Sequence, residues 1–212
     1  MLQRPTALER LTGNVLTEAA ATALAAHIGG PLVALLPVLG KSLASERQRV
    51  RVEQALVDIQ QLLDQQAQAV RDLTDAQYKL INETILTFFQ TTDVKKLQHL
   101  RLVVQNALAS TSIEPLEAAV LSRIIRDISA EEVDFLARAF QYDAIRLTNF
   151  EEPDESGVLK VNLASPEARC VSGLISLGIL ASGGGAYVDL GQFRFMPIAA
   201  KLLAVLRQPG DA

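Results

Sequence analysis

The chain has 212 residues, a formal net charge of −4 and an apolar content of 49%, with one cysteine and two histidines. That apolar fraction is enough for a folded core and excludes a mostly disordered chain. The acidic balance does not favour a general nucleic-acid binder, and one cysteine excludes an intrachain disulfide framework and a cysteine-rich zinc site.

The first 20 residues are not expected to act as a secretory signal, because Glu9 and Glu18 interrupt the stretch that should be continuously apolar. Thr6 and Glu9 have the spacing of a capping box for a first short helix. From Ala19 to Leu39 the chain runs 21 residues without an acidic or basic side chain, His27 being neutral. About 20 such residues can span a bilayer. Lys41, Arg47, Arg49 and Arg51 follow, the flank expected on a cytoplasmic side. Against a span, the first half is mostly alanine, and Gly29-Gly30-Pro31 and Pro37 divide the run. The expectation is a buried helical hairpin in a soluble bundle. Conditional membrane insertion or oligomerisation, and a constitutive span, are the alternatives. Ile28, Leu32, Val33, Leu35, Leu36, Val38 and Leu39 are the candidate membrane or partner contacts. Gly29, Gly30 and Pro31 are the candidate hinge. The expected location is the cytoplasm, with the inner membrane as a peripheral or conditional site.

Residues 1–110 are helical in pattern and nearly neutral, with 11 basic and 10 acidic residues. Val52, Leu56, Ile59, Leu63, Ala67, Val70 and Leu73 recur at spacings of three and four, the stripe of an amphipathic helix. A bundle helix explains this short stripe better than an extended coiled coil. Thr74 and Gln77 form a second capping box. Leu80, Ile81, Ile85, Leu86, Phe88 and Phe89 then give a broad apolar face. Thr92 is the expected cap of a helix carrying Leu97, Leu100, Val103, Val104, Ala107 and Leu108.

A polar stretch at 109–112 marks the expected boundary between a helical bundle (1–110) and a second domain (111–212). Leu116, Val120, Leu121, Ile124, Ile125 and Ile128 predict a buried helix. Ser129 and Glu132 cap a helix carrying Val133, Leu136, Ala137 and Phe140. Residues 151–157 read as an exposed acidic loop, and 158–163 alternate like a short strand. Ser165 and Pro166 open a helix that ends at Gly178. Ile179–Ala181, Ala186–Leu190 and Gln192–Met196 read as strands around the Gly183-Gly184-Gly185 turn. Pro197 opens a last helix with Ile198, Leu202, Leu203 and Leu206. The fold class is therefore mainly α, a helical bundle followed by an α+β domain.

Catalytic and cofactor chemistry finds little footing. Gly40-Lys41-Ser42 imitates a phosphate-binding loop, but the required earlier glycine is Leu35 and the preceding run is helical in pattern. Gly183–Gly185 suits a hairpin turn better than an anion cradle. Cys170 needs a nearby base to act as a nucleophile, and neither His27 nor His99 lies in its domain; a small buried thiol is the plainer reading. His27 suits a partnered core histidine, with an acid-triggered role as the alternative. His99 falls on the polar side of its helix and is expected to face solvent. Glu131, Glu132 and Asp134 read as first-turn acids facing a helix dipole rather than metal ligands. Glu151–Glu155 lacks the ligand order of a calcium loop. No cofactor, metal or small-molecule substrate is expected.

The order helix, helix, short strand, helix ending in LGIL, hairpin, and FRFMP running into a last helix resembles a winged helix-turn-helix domain over roughly residues 113–207. The resemblance implies that Ser165–Leu177 occupies the place of a DNA-reading helix. Arg169 on that helix and Arg194 in the hairpin would be the DNA contacts. That helix is small, nearly neutral and apolar, which departs from a DNA reader and points to a protein-interaction module. GGPLVALLPVLGKSLASERQRVRVEQAL together with LGIL…FRFMP also gives the whole chain a resemblance to bacterial abortive-infection-type defence proteins. It implies a non-enzymatic protein acting on membranes or partners during a phage-defence or other conflict response. The expected function is accordingly a non-enzymatic effector or adaptor working through a protein partner, self-association or a membrane. The alternative is a winged-helix DNA-binding regulator with a helical dimerisation domain.

Overall fold

A computed structural model describes residues 58–59, 61–110, 113–149, 155–183 and 191–208. The apolar run 19–39, its hinge, the Thr6 cap, Gly40-Lys41-Ser42 and the expected strand 186–190 lie outside the described residues. Among those described, the protein is mainly helical with a four-stranded sheet near its C-terminal end. It divides into two compact units, 1–122 with 208–212, and 123–207.

In the first unit, α1 (Ala67–Arg71) follows helical residues 61–65. Helix α2 (Asp75–Phe88) starts at the capping box expected from Thr74 and Gln77. Helix α3 (Val94–Ala109) packs against α2 and buries all six apolar residues of its expected stripe. Its cap is Asp93, whose carboxylate accepts from the Lys95 amide at 2.8 Å, and not Thr92. An aspartate reaches the free amides as well as threonine does and adds a charge favourable at a helix start. Ile59, Leu63 and Val70 of the long stripe are buried. The buried threonines Thr84 and Thr87 donate to the carbonyls of Leu80 and Glu83, so neither hydroxyl is left dry. His99 is half-buried and not solvent-facing.

Helix α4 (Pro115–Asp127) corrects the expected burial along its length. Leu121, Ile124, Ile125 and Ile128 are buried, but Val120 is half-exposed and Leu116 is 77% exposed. One stripe of the helix is buried from Ala118 onward, and Leu116 falls outside it.

In the second unit, α5 (Ala130–Ala139) begins at the expected Ser129–Glu132 capping box. Its buried face is Ala130, Val133, Phe135, Leu136 and Ala139, while Ala137 is exposed. Next comes β1 (Ala144–Thr148), a strand that the sequence pattern did not yield. Strand β2 (Val158–Asn162), helix α6 (Pro166–Ser176), β3 (Leu180–Ser182), β4 (Gln192–Phe195) and α7 (Pro197–Leu206) complete the unit. The sheet order is β2-β1-β4-β3. β1 pairs parallel with β2 and antiparallel with β4, and β3 pairs antiparallel with β4.

Strand register assigns the two faces. Side chains alternate along each strand, so Ile145, Leu147, Leu159, Val161, Leu180, Phe193 and Phe195 share one face. Ile145, Val161 and Leu180 on it are almost fully buried. Helix α6 packs on β2 and β3, with Ala168, Val171 and Leu174 buried. Phe195 meets Phe140 edge-on with ring centroids 5.2 Å apart. At its C-terminal end, α6 closes with a two-bond turn. The Gly178 amide donates to the Ile175 carbonyl and the Ile179 amide to the Leu174 carbonyl, both at 2.9 Å. Gly178 has φ of +72°, which is why glycine stands there.

Candidate functional site

The side chains with the most chemistry in the second unit meet where α5 lies beside α6. An open groove of about 460 Å³ is lined by Ser129, Glu131, Glu132, Asp134, Phe135, Arg138, Pro166, Glu167, Arg169 and Cys170. Helix geometry supplies the set. On α5, Glu131, Asp134 and Arg138 follow at spacings of three and four, and all three are exposed. On α6, Pro166, Arg169 and Cys170 project beside Glu167 from the first turns.

Two contacts tie the walls together. The Arg138 guanidinium donates to the Glu167 carboxylate across the groove at 3.2 Å. The Glu132 carboxylate accepts from the Ser129 amide at 2.7 Å while its other oxygen occupies the place where a Gly173 Cβ would stand. Only a glycine lets the carboxylate cross so close to α6. The cap of one helix therefore depends on a missing side chain in the other.

Cys170, expected to be a small buried thiol, is half-buried. Partial burial pushes its pKa up, and Glu132, Glu131 and Glu167 push it further, against a smaller lowering by Arg138. The groove thus favours the protonated thiol, the opposite of the electropositive setting that activates a nucleophilic cysteine. Glu131, Glu132 and Asp134 stand in the first turns of α5, and among the described residues no group of three or more histidine, cysteine or carboxylate side chains is placed to hold a metal ion. Ser165 is the residue before α6, as expected, but its hydroxyl makes no capping bond.

Arg169 and Arg194, the two DNA contacts of the alternative reading, are both exposed. The structure does not bring them together. Arg169 lies on α6, on the apolar side of the sheet. Arg194 pairs in register with Ala144 and Ala181, which assigns it to the opposite face, and its side chain runs beside Gly183. The membrane or partner contacts between Ile28 and Leu39 and the hinge at 29–31 lie outside the described residues. Among the described residues, no helix is long and apolar enough to cross a membrane.

Sequence reasoning missed Arg138 and Glu167 as a pair, because 29 residues separate them and only helix packing joins them. It also missed Arg146, whose five-residue strand AIRLT is too short a pattern to mark a strand by itself. No protein-family model, curated protein or solved structure matches the chain.

Proposed function

We propose that this protein is a non-enzymatic effector or adaptor that works by associating with a protein partner or a membrane, in a bacterial conflict response. The observation that carries the reading is the charge around α6. Four carboxylates, from Glu131, Glu132, Asp134 and Glu167, line the groove beside it, against the guanidiniums of Arg138 and Arg169. Arg138 is already paired with Glu167. A nucleic acid laid along this side of α6 would meet more negative than positive charge, whereas a protein segment carrying lysine or arginine would meet complementary charge. Buried Phe135 gives the groove an apolar element beneath its charged rim.

The succession of α6, the β3–β4 hairpin and α7 supports a winged-helix-like reading of this unit. The parallel pairing of β1 with β2, and β1 itself, have no counterpart in the element order on which that resemblance rests. The rival function, a DNA-binding regulator, would need Arg169 and Arg194 to face one duplex, and the sheet stands between them.

Two measurements test the proposal on the full chain. A photo-cross-linking phenylalanine derivative at position 169 should capture one protein in cells. Glu131→Lys combined with Glu167→Lys should lose that capture, and Lys201→Glu should keep it. Liposome flotation of wild type beside Leu35→Asp reads the membrane mode. Absence of both a groove-dependent cross-link and Leu35-dependent flotation overturns the proposal.

A further inference from the structure

The groove reading leaves the other face of the sheet unused. Register places Ala144, Arg146, Thr148, Val158, Lys160, Asn162, Ala181, Gln192 and Arg194 on that face. No acidic residue stands at any of these strand positions. Three cations do, on three different strands. Arg146 on β1 is directly opposite Lys160 on β2, and Arg194 on β4 is two residues along from Gln192, the partner of Arg146. Neighbouring strands lie about 4.8 Å apart and alternate residues about 6.8 Å apart along a strand, so adjacent members of the trio are separated by roughly 5–8 Å at the backbone. Like charges placed directly opposite across two strands destabilise a sheet. Among these strand positions Arg146 and Lys160 form such a pair, while Arg194 stands diagonal to Arg146, with Ala144 and Ala181 as its direct partners.

Among the described residues, the Glu155 carboxylate is an internal anion that reaches this face. The Glu155 carboxylate meets the Arg146 guanidinium at 2.7 Å, and the Arg146 side chain is 19% exposed. Among the described residues no ion pair holds Lys160 or Arg194. The uncharged neighbours Thr148, Asn162 and Gln192 are hydrogen-bonding side chains of the kind that accompany lysine and arginine at phosphate oxygens and sugars. Both aromatic residues of β4, Phe193 and Phe195, belong to the opposite, apolar face, so none of the described strand positions on this face offers a ring for stacking on bases.

We propose that this sheet face binds the phosphate backbone of nucleic acid without reading its sequence, and that Glu155 is an internal competitor that partly neutralises it. Charge complementarity selects a polyanion. A membrane surface is the poorer fit, because no large apolar side chain stands on the strand positions to enter the interface. This inference goes beyond the groove reading and does not depend on it. It also differs from DNA reading by α6, since Arg169 has no part in it.

The test is fluorescence anisotropy of the full chain with a labelled 20-base-pair duplex of two unrelated sequences, from 50 to 200 mM salt. With Lys160 and Arg194 each neutralising a phosphate while Glu155 holds Arg146, affinity should fall roughly 12-fold over that range and be equal for both sequences. Lys160→Ala and Arg194→Ala should each weaken binding and reduce the salt dependence by about one unit of slope. Glu155→Gln should strengthen binding severalfold, an effect opposite in sign to any loss of folding. Arg169→Ala should change nothing. Circular dichroism checks that each variant is folded. The proposal is overturned by no binding at 50 mM salt, by binding that ignores Lys160 and Arg194, or by weaker binding in a folded Glu155→Gln variant. It is equally overturned if these cations bind vesicles of anionic lipid while the duplex stays unbound.

Discussion

The Glu132 carboxylate occupies the space where a side chain at Gly173 would begin, so the start of α5 and the middle of α6 are fitted to each other at one glycine. The same carboxylate caps α5 through the Ser129 amide. Gly173→Ala should therefore displace Glu132 and cost about 1–2 kcal/mol, seen as a lower thermal midpoint. Glu132→Ala removes the cap by another route. The double variant should lose clearly less than the two single losses added together, because both act on one contact. Simple additivity in that cycle would refute the coupling.

Gln77 ties the start of α2 to the end of α3. Its side-chain amide nitrogen donates to the carbonyls of Ala107 and Ser110, and its oxygen accepts from the Thr74 amide. Gln77→Ala should cost about 2–3 kcal/mol in urea unfolding, since buried carbonyls lose their donor along with the capping box. Thr74→Ala removes only the cap side and should cost about 1 kcal/mol. Equal losses in the two variants would mean that the link to α3 contributes nothing.

The thiol of Cys170 should react slowly. Burial and the carboxylates of Glu132, Glu131 and Glu167 raise its pKa, so its thiolate fraction near pH 7.5 lies below that of a free cysteine. Iodoacetamide labelling of the folded protein should be several times slower than that of the same protein in urea. Its rate should still be rising above the ordinary thiol range near 8.5. Glu131→Gln with Glu167→Gln should shift that profile to lower pH. The linkage has a definite sign. A pKa raised by folding stabilises the fold below the unfolded thiol's pKa, and this contribution is lost as pH climbs through the folded value. The thermal midpoint of wild type relative to Cys170→Ser should accordingly fall on the alkaline side of the thiol range.

Gly178 and Gly157 have similar backbone angles, φ of +72° and +77°, but different surroundings. A Cβ at Gly178 meets nothing within 4 Å, whereas one at Gly157 collides with the Asp143 carboxylate. Gly178→Ala should cost only the left-handed strain, about 1 kcal/mol. Gly157→Ala should cost more, because Asp143 and the turn that feeds β2 must also move. Thermal unfolding of the two variants ranks them directly, and the reverse order would show that space at Gly157 is not limiting.

Most of the local signals that were legible are side chains acting within their own turn of chain. The Thr74–Gln77 and Ser129–Glu132 capping boxes, the six-residue stripe of α3, Pro166 opening α6 and Gly178 closing it all follow from contacts three to five residues apart. Among the described residues, sequence by itself therefore determined the helices, much of their buried faces and the mainly α, partly β class. Thr92 gave way to Asp93 because adjacent residues compete for the same amides. Exposed Leu116, between buried Ile113 and Ala118, shows that an apolar residue on a helix need not fall on its covered face.

Tertiary structure alone decided the sheet and the sites. β1 is central to the order β2-β1-β4-β3, yet its partners lie 14 and about 50 residues further along the chain. Strand pairing is satisfied between distant backbones, so five residues such as AIRLT carry little of that information locally. The same holds for Arg138 with Glu167, and for Arg146 with Lys160 and Arg194. Charge along the sequence counts these residues, but helix packing and strand register decide which of them share a surface.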